Sequence, residues 1–266
     1  MIITLITDFG TRDYFVGSLK GVILGINPEA RIVDISHEVG PQNILEAAFL
    51  LKSSYRYFPR DSIHMVIVDP GVGGARRPIL AAAGDHSFVA PDNGVLSWVF
   101  SEEESVRVYE ITESKYFLNS PGRTFQGRDL FSPVAAWLSR GIAAKDFGKE
   151  IRDFKKIEIP APILRGEGEI EGEVLYIDRF GNIITTLTGP HLKPFELVKD
   201  TLEIMLLNDR IHGMKSTYSE TPPGEVGALL NSCGHLEVYI NLGHAASRLN
   251  ASVGDPVKVR RPSRKR

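Results

Sequence analysis

The sequence predicts an α/β N-terminal domain with a largely parallel sheet, followed by a smaller, mostly antiparallel β C-terminal domain. Three observations carry this reading. Strand and helix signals alternate through the first half, a Pro- and Gly-rich stretch interrupts the chain near residue 160, and beyond it helical periodicity gives way to short strand signals. With 266 residues and 42% hydrophobic content, each part has the material for a packed core.

Residues 2–7 form an apolar first strand. Phe15, Leu19, Val22, Ile23 and Ile26 then recur at helical spacing until Asn27-Pro28 stops the helix. A strand over 30–36 follows, and Ile44, Ala48, Leu51, Tyr55 and Phe58 line one side of a second helix that ends at Pro59. The run 63–68 is a buried strand. Segments 79–83 and 87–90 flank Gly84-Asp85 as a hairpin, and 106–111 is a further strand. Ser132-Pro133 suits the start of a last helix, since Ser is a good N-cap and Pro fits the first turn. The change in composition places the first domain at 1–155, a linker at 156–168 and the β-rich domain at 169–266. Strands are expected there over 172–177, 182–187, 202–207, 227–230 and 235–240.

Lys and Arg number 31 against 33 Asp and Glu, a formal net charge of -2, so no global basic field recruits nucleic acid and a small-molecule partner is expected. The basic tail 260–266 reads as a solvated terminus. Cys233 is the only cysteine, which excludes an intramolecular disulfide framework and a cysteine zinc site and fits a reducing compartment. The N-terminus enters a strand pattern at once, and no run approaches the roughly 20 apolar residues of a membrane span. A cytoplasmic protein without a membrane partner is expected.

Chemistry concentrates in polar turns after apolar strands. Asp69-Pro70-Gly71-Val72-Gly73-Gly74, with Arg76 seven residues after the Asp, delivers a carboxylate to the strand end, where open α/β sheets bind ligands. The glycines permit close backbone approach, and Arg76 fits an anion bidentately; a tight turn with a surface ion pair is the alternative. Thr7-Asp8-Phe9-Gly10 repeats the logic. Asp8 there either accepts both hydroxyls of a ribose or caps a turn. Thr124-Phe125-Gln126-Gly127-Arg128-Asp129 is a third polar turn, in which Arg128 and Asp129 either pair with each other or serve the helix end. Pro91-Asp92-Asn93-Gly94 is mainly backbone geometry. In the second domain, Asp178-Arg179-Phe180-Gly181-Asn182 combines an acid, a ring and an amide suited to adenine, or is a plain hairpin turn. Asn231-Ser232-Cys233-Gly234 precedes Glu237, a charge in an apolar strand that needs a partner, such as a ligand amine.

Taken in order, these six motifs resemble the S-adenosylmethionine hydroxide adenosyltransferases, hydrolases related to the fluorinating and chlorinating adenosyltransferases, over nearly the whole chain. The resemblance implies hydrolysis of S-adenosyl-L-methionine (SAM) to adenosine and L-methionine by attack of water or hydroxide on ribose C5′. SAM would be the substrate, with no separate cofactor and no metal. It also implies a homotrimer whose substrate lies where the first domain of one subunit meets the second domain of its neighbour. The family's water-handling set is Asp, Arg and His; Asp69 and Arg76 match two of them, and Gln126 stands in place of the His. Asp8 falls where relatives hold the ribose hydroxyls, Asn182 and the backbone near Ile240 where they meet adenine, and Asp178, Ser232 and Glu237 where they hold the methionine end. An amide cannot titrate, so Gln126 is expected to orient water, its carbonyl oxygen accepting one water hydrogen while Asp69 accepts the other. Two rival readings are a non-catalytic adenosine or SAM binding module and a metal-dependent hydrolase using Asp8, Asp69, Asp92 and His37 or His64.

Overall fold

A computed structural model describes residues 1–120, 122–166, 168–198 and 201–261, so residues 262–266 of the basic tail lie outside the described residues. The chain divides into two units, Met1–Ile159 and Pro160–Arg266.

In the first unit, strands β1 (Ile2–Thr7), β2 (Arg31–Ser36), β3 (Ile63–Ile67), β4 (Pro78–Ala83), β5 (His86–Pro91), β6 (Val106–Glu110) and β7 (Glu150–Ile151) form one sheet in the order β2-β1-β3-β5-β4-β6-β7. Pairing is parallel from β2 through β5 and antiparallel from β5 through β7. The sheet is therefore mixed, not largely parallel as its sequence suggests. The Gly84-Asp85 hairpin reverses β4 against β5, and direction alternates from there through β6 and β7.

Helix α1 (Phe15–Ile26) connects β1 to β2, and α2 (Ile44–Ser54) connects β2 to β3. Asn43 caps α2 by accepting the Glu46 N–H at 3.1 Å. A short α3 (Ser97–Glu102), which the sequence reading leaves out, joins α2 through an edge contact between Phe49 and Trp98. Helix α4 (Ser132–Ser139) begins with Pro in its first turn and follows a π-helical turn, Gly127–Phe131, in which the Ser132 N–H reaches back to the Gly127 carbonyl. Leu19 and Ile23 of α1 and Val134, Ala135 and Leu138 of α4 share one core with Ile3, Leu5, Met65 and Ile67 of the central strands. That packing holds the carboxyl ends of β1 and β3 side by side, because the two strands pair from Ile3↔Ile63 to Thr7↔Ile67.

The second unit carries β8 (Ile163–Arg165), β9 (Glu169–Ile177), β10 (Ile183–Thr188), β11 (Glu203–Leu206), β12 (Asp209–His212), β13 (Val226–Leu230), β14 (His235–Ile240) and β15 (Pro256–Arg260), with short helices α5 (Gly189–Leu192) and α6 (Ala245–Leu249). Strand β8 falls within the stretch expected to be a linker and pairs with β9. The order is β12-β11-β15-β9-β10-β14-β13, and every named pair is antiparallel. Just after β12, the Lys215 N–H donates to the Ala228 carbonyl of β13 at 2.8 Å, so the two ends of the strand order meet and the sheet is barrel-like. Its interior is apolar, with Val174, Ile183, Leu187, Ile204, Val238 and Val257 fully buried.

Candidate active site

Strand β3 runs buried from Ile63 to Ile67 and releases the chain at Asp69. Two tight turns follow, Val72 N–H to Asp69 O at 3.2 Å and Gly74 N–H to Gly71 O at 3.0 Å, and they bring Arg76 back over the carboxylate. The return passes close over Gly71, where a Cβ would lie 3.1 Å from Cγ of Arg76 and would press that side chain to shift. Arg76 Nε donates to Asp69 Oδ1 and Oδ2, both at 2.9 Å, and its Nη2 donates to Asp69 Oδ2. Each side chain is only 6% exposed. The guanidinium also lies 5.4 Å from the centre of the buried Phe131 ring. It is a neutral, desolvated pair, not the surface ion pair that the turn alone would allow.

Gln126 joins the pair from the residue just before the π-helical turn, its Oε1 accepting from Arg76 Nη2 at 2.5 Å. Arginine is a donor only, which fixes the amide with its oxygen on Arg76 and its NH2 turned elsewhere. The carbonyl oxygen assigned to water in the sequence reading is thus engaged by Arg76 through one of its two lone pairs, and the amide NH2 faces away from Arg76. Asp8 stands at the end of β1, where Oδ2 accepts the Gln42 N–H at 2.8 Å; Oδ1 takes no hydrogen bond among the described residues. Asp8, Asp69, Gln42 and Gln126 line one cavity of about 420 Å³, closed on one side by Phe9, Phe15 and Phe125. Those rings meet edge-on or tilted at 5.2 to 6.1 Å between centres, forming an aromatic wall.

Neighbouring motif residues have structural partners. Arg77, next to Arg76, turns to Asp92 at 2.8 Å and to Asp153 at 2.9 Å. Asn93 donates to the Val68 carbonyl at 2.8 Å and pins the end of β3, and Arg128 pairs with Asp129 at 2.6 Å. His64 lies fully buried against Thr4 Oγ1 at 2.8 Å, and burial pushes its imidazole down to about 3. His37 Nδ1 meets Thr7 Oγ1 at 2.9 Å. Of the side chains named for a metal site, Asp8 and Asp69 line one cavity, while Asp92 is paired with Arg77 and His64 is fully buried. Among the described residues no group of three or more His, Cys, Asp or Glu is placed to hold an ion.

In the second unit, Asp178 Oδ1 accepts the N–H groups of Phe180 and Asn182 at 2.9 and 2.8 Å, and Oδ2 accepts the Asn182 side-chain amide at 3.0 Å. Gly181 has φ +82°, and a Cβ there would collide with the His244 ring at 2.2 Å, so the loop closes only on glycine. Asp178, Asn182 and Ile240 line a cavity of about 650 Å³, with Phe180 and Leu242 exposed at its lip. Ser232 is exposed on the β13–β14 loop and Glu237 is buried; neither lines the cavity. Tyr218 does, and the sequence reading missed it. Its hydroxyl donates to Glu237 Oε1 at 2.8 Å, a pairing across 19 residues for which no local motif exists.

A sheet edge carrying a dry carboxylate–guanidinium pair whose carboxylate lines one cavity, followed by a barrel-like unit with a second polar and aromatic cavity, defines a two-unit protein suited to a small molecule. Its sequence matches the profile of the SAM hydroxide adenosyltransferase N-terminal domain over residues 3–148 and that of the corresponding C-terminal domain over residues 172–258. It is 35% identical to an (R)-S-adenosyl-L-methionine hydrolase of Salinispora tropica over 97% of both chains. It is 34% identical to the protein of that name in Thermus thermophilus, over 96% of this chain and 97% of that one. The crystal structure of an uncharacterized conserved protein from Thermotoga maritima superposes with a TM-score of 0.91 at 34% identity, covering 98% of this chain and all of that one. The chain belongs to the SAM hydroxide adenosyltransferase family.

Proposed function

We propose that this protein hydrolyses S-adenosyl-L-methionine to adenosine and L-methionine. The water oxygen bonds to ribose C5′ as the C5′–S bond breaks. The bonding pair stays on sulfur, converting the sulfonium to a neutral thioether, and one water proton passes to Asp69 and on to solvent. A neutral leaving group needs no acid, so the protein has only to position and activate water. The observation that carries this reading is the Asp69–Arg76–Gln126 set beside the first unit's cavity, in a chain matched by both domain profiles.

Asp69 is the base. Arg76 holds it and, because its charge is matched by the carboxylate, puts no net positive charge beside the sulfonium. Gln126 donates its amide N–H to one lone pair of the water, Asp69 accepts a water hydrogen, and the second lone pair faces C5′. Such positioning draws on the roughly 7 to 11 kcal/mol available from orientation. Asp8 takes the ribose hydroxyls, Asn182 and the Ile240 backbone the adenine, and Asp178 and Ser232 the methionine end, a set to which the resemblance adds Glu237.

Cavities on both units support a homotrimer in which the first unit of one subunit and the second unit of its neighbour share one substrate; sedimentation of a single-chain species with full activity would overturn it. Among the described residues no helix is long and apolar enough to cross a membrane. The free, exposed Cys233 thiol supports the cytoplasm as the compartment, which cell fractionation tests.

The deciding experiment is turnover in ¹⁸O-water after exhaustive chelation. Equimolar methionine and adenosine carrying one ¹⁸O in its 5′-hydroxyl are expected. Bound but intact SAM would leave a binding module, and activity restored only by added metal would leave a metal-dependent hydrolase.

A further inference from the structure

We infer that His37 is a positioning residue: it holds the chain on both sides of Asp8 and so sets the place of that carboxylate in the first unit's cavity. The inference rests on the SAM reading, in which Asp8 takes the ribose hydroxyls, and adds a residue to it. His37 follows β2, is 6% exposed and does not line the cavity, so it can act on a substrate only through its neighbours. Its main-chain carbonyl accepts the Gly10 N–H at 2.7 Å, and its ring Nδ1 meets Thr7 Oγ1 at 2.9 Å. Residues 7 and 10 bracket Asp8. The carboxylate itself stands between β1 and α1, in a stretch without a helix or a strand ladder to place it.

The ring is turned by its other nitrogen. Nε2 lies 3.1 Å from Asp34 Oδ1, off the line of an ideal hydrogen bond but within ion-pair distance, and Asp34 Oδ2 takes Lys20 Nζ of α1 at 2.5 Å. A carboxylate only accepts, so in the neutral imidazole the proton sits on Nε2 and Nδ1 accepts the Thr7 hydroxyl hydrogen. The Thr7 oxygen then keeps a lone pair for the Phe9 N–H, 3.3 Å away. A chain of polar contacts thus runs from Asp34 through His37 and the fully buried Thr7 to the residue after Asp8. Such a network, once its members are paired, rigidifies what it holds. Asp8 is gripped from the same loop, where the Gln42 N–H donates to its Oδ2 at 2.8 Å. A histidine that served only the fold would change stability; one that positions Asp8 also decides how well the hydroxyls of a ribose are read.

The test compares His37→Leu, His37→Asn and Thr7→Val with the wild type by calorimetric titration with adenosine and with 2′,3′-dideoxyadenosine, and by steady-state kinetics with SAM. The wild type should prefer adenosine by at least about tenfold, the scale of hydrogen bonds to a charged group. His37→Leu and Thr7→Val should each remove most of that preference, through weaker adenosine binding alone, and leave dideoxyadenosine affinity unchanged. KM for SAM should rise by a similar factor with little change in kcat, because the ribose contact is made before the reaction as well as during it. His37→Asn should keep the preference, since its amide oxygen can stand in for Nδ1 as the acceptor of the Thr7 hydroxyl. Thr7→Val exchanges one hydroxyl for a methyl and carries the test if His37→Leu fails to fold. An undiminished preference in Thr7→Val or in folded His37→Leu, equal losses for the two nucleosides, or a His37→Asn as poor as His37→Leu would each overturn the inference. Should the wild type bind both nucleosides alike, the ribose reading of Asp8 fails instead; should it bind neither, the SAM reading does. The hold on Asp8 is then read without ligand. The chain has two glutamines, Gln42 and Gln126, so labelling with α-¹⁵N-glutamine gives two main-chain amide signals. That of Gln42, assigned by its loss in Gln42→Asn, should move in Thr7→Val and His37→Leu as it does in Asp8→Asn and stay in place in His37→Asn. A signal unmoved in Thr7→Val and His37→Leu refutes the hold.

Discussion

Asp69→Asn separates the chemical role proposed for Asp69 from its structural one. The side chain is 6% exposed and takes three N–H contacts from an equally buried Arg76. An amide nitrogen in place of one oxygen would face these donors with another donor and leave the guanidinium without a counter-charge. Removing one partner of a buried pair costs about 3 to 5 kcal/mol of stability. Loss of a general base lowers turnover by about 10² to 10⁴, or about 2.7 to 5.4 kcal/mol of barrier. The two effects come apart in the double variant Asp69→Asn/Arg76→Met, where no charge is stranded. Most of the stability should return, but none of the methionine release. Adenosine affinity in Asp69→Asn should stay within tenfold, about 1.4 kcal/mol. Urea melts, calorimetry and methionine release give the three readouts. Near-normal turnover in Asp69→Asn, or activity regained by the double variant, would show that Asp69 serves only the fold.

Asp8→Ala should weaken adenosine binding by about 1.5 to 3 kcal/mol, and equal wild-type affinity for 2′,3′-dideoxyadenosine would disprove the ribose contact. Gln126→His places an imidazole against Arg76 Nη2, which its neutral form can accept from and its protonated form cannot. The kcat profile should gain a step near pH 6.5 that the wild type lacks, and a wild-type profile already showing such a step would misassign the water-handling set. His64 has its native value pushed down to about 3 by burial, against 6.5 when unfolded, so the unfolded chain binds the extra proton. This stability is fully present above pH 6.5 and is lost as pH falls toward 3, amounting to about 2 kcal/mol lost by pH 5. Urea melts at pH 7 and pH 5 should show that loss in the wild type and a smaller one in His64→Phe; equal slopes would contradict it.

What the sequence discloses and what it conceals divide along physical lines. Asp69 and Arg76 are legible because a glycine turn confines their partnership to seven residues. The hairpin of 79–83 is legible in Gly84-Asp85, but its place inside a mixed sheet, between β5 and β6, is not. Ile79, Leu80, Ala81 and Ala83 are buried on both faces, as in a central parallel strand, and hydrophobic period carries no information about chain sense. Strand β12 is short and polar outside and resembles a loop, and β8 hides among the residues that suggest a linker. Tyr218 escapes because its partner is brought to it by the barrel, and Glu237, correctly read as a charge needing company, finds it within the protein.

The π-helical turn at Gly127–Phe131 makes the active site sensitive to chain length as well as to chemistry. A π turn holds one residue more than the α-helical turn it replaces, and α-helical residues are spaced by about 100°. Deleting one residue from this turn would let it relax to regular helix and swing Gln126 by about that angle, taking its amide oxygen off Arg76 with no functional side chain altered. Methionine release by such a deletion variant, measured beside Gln126→Ala, would show whether the site is written partly in a residue count; undiminished release would mean the helix absorbs the loss elsewhere. Should release fall as far as in Gln126→Ala, a one-residue gap before α4 of this chain counts as a change in its candidate site, with every motif letter intact.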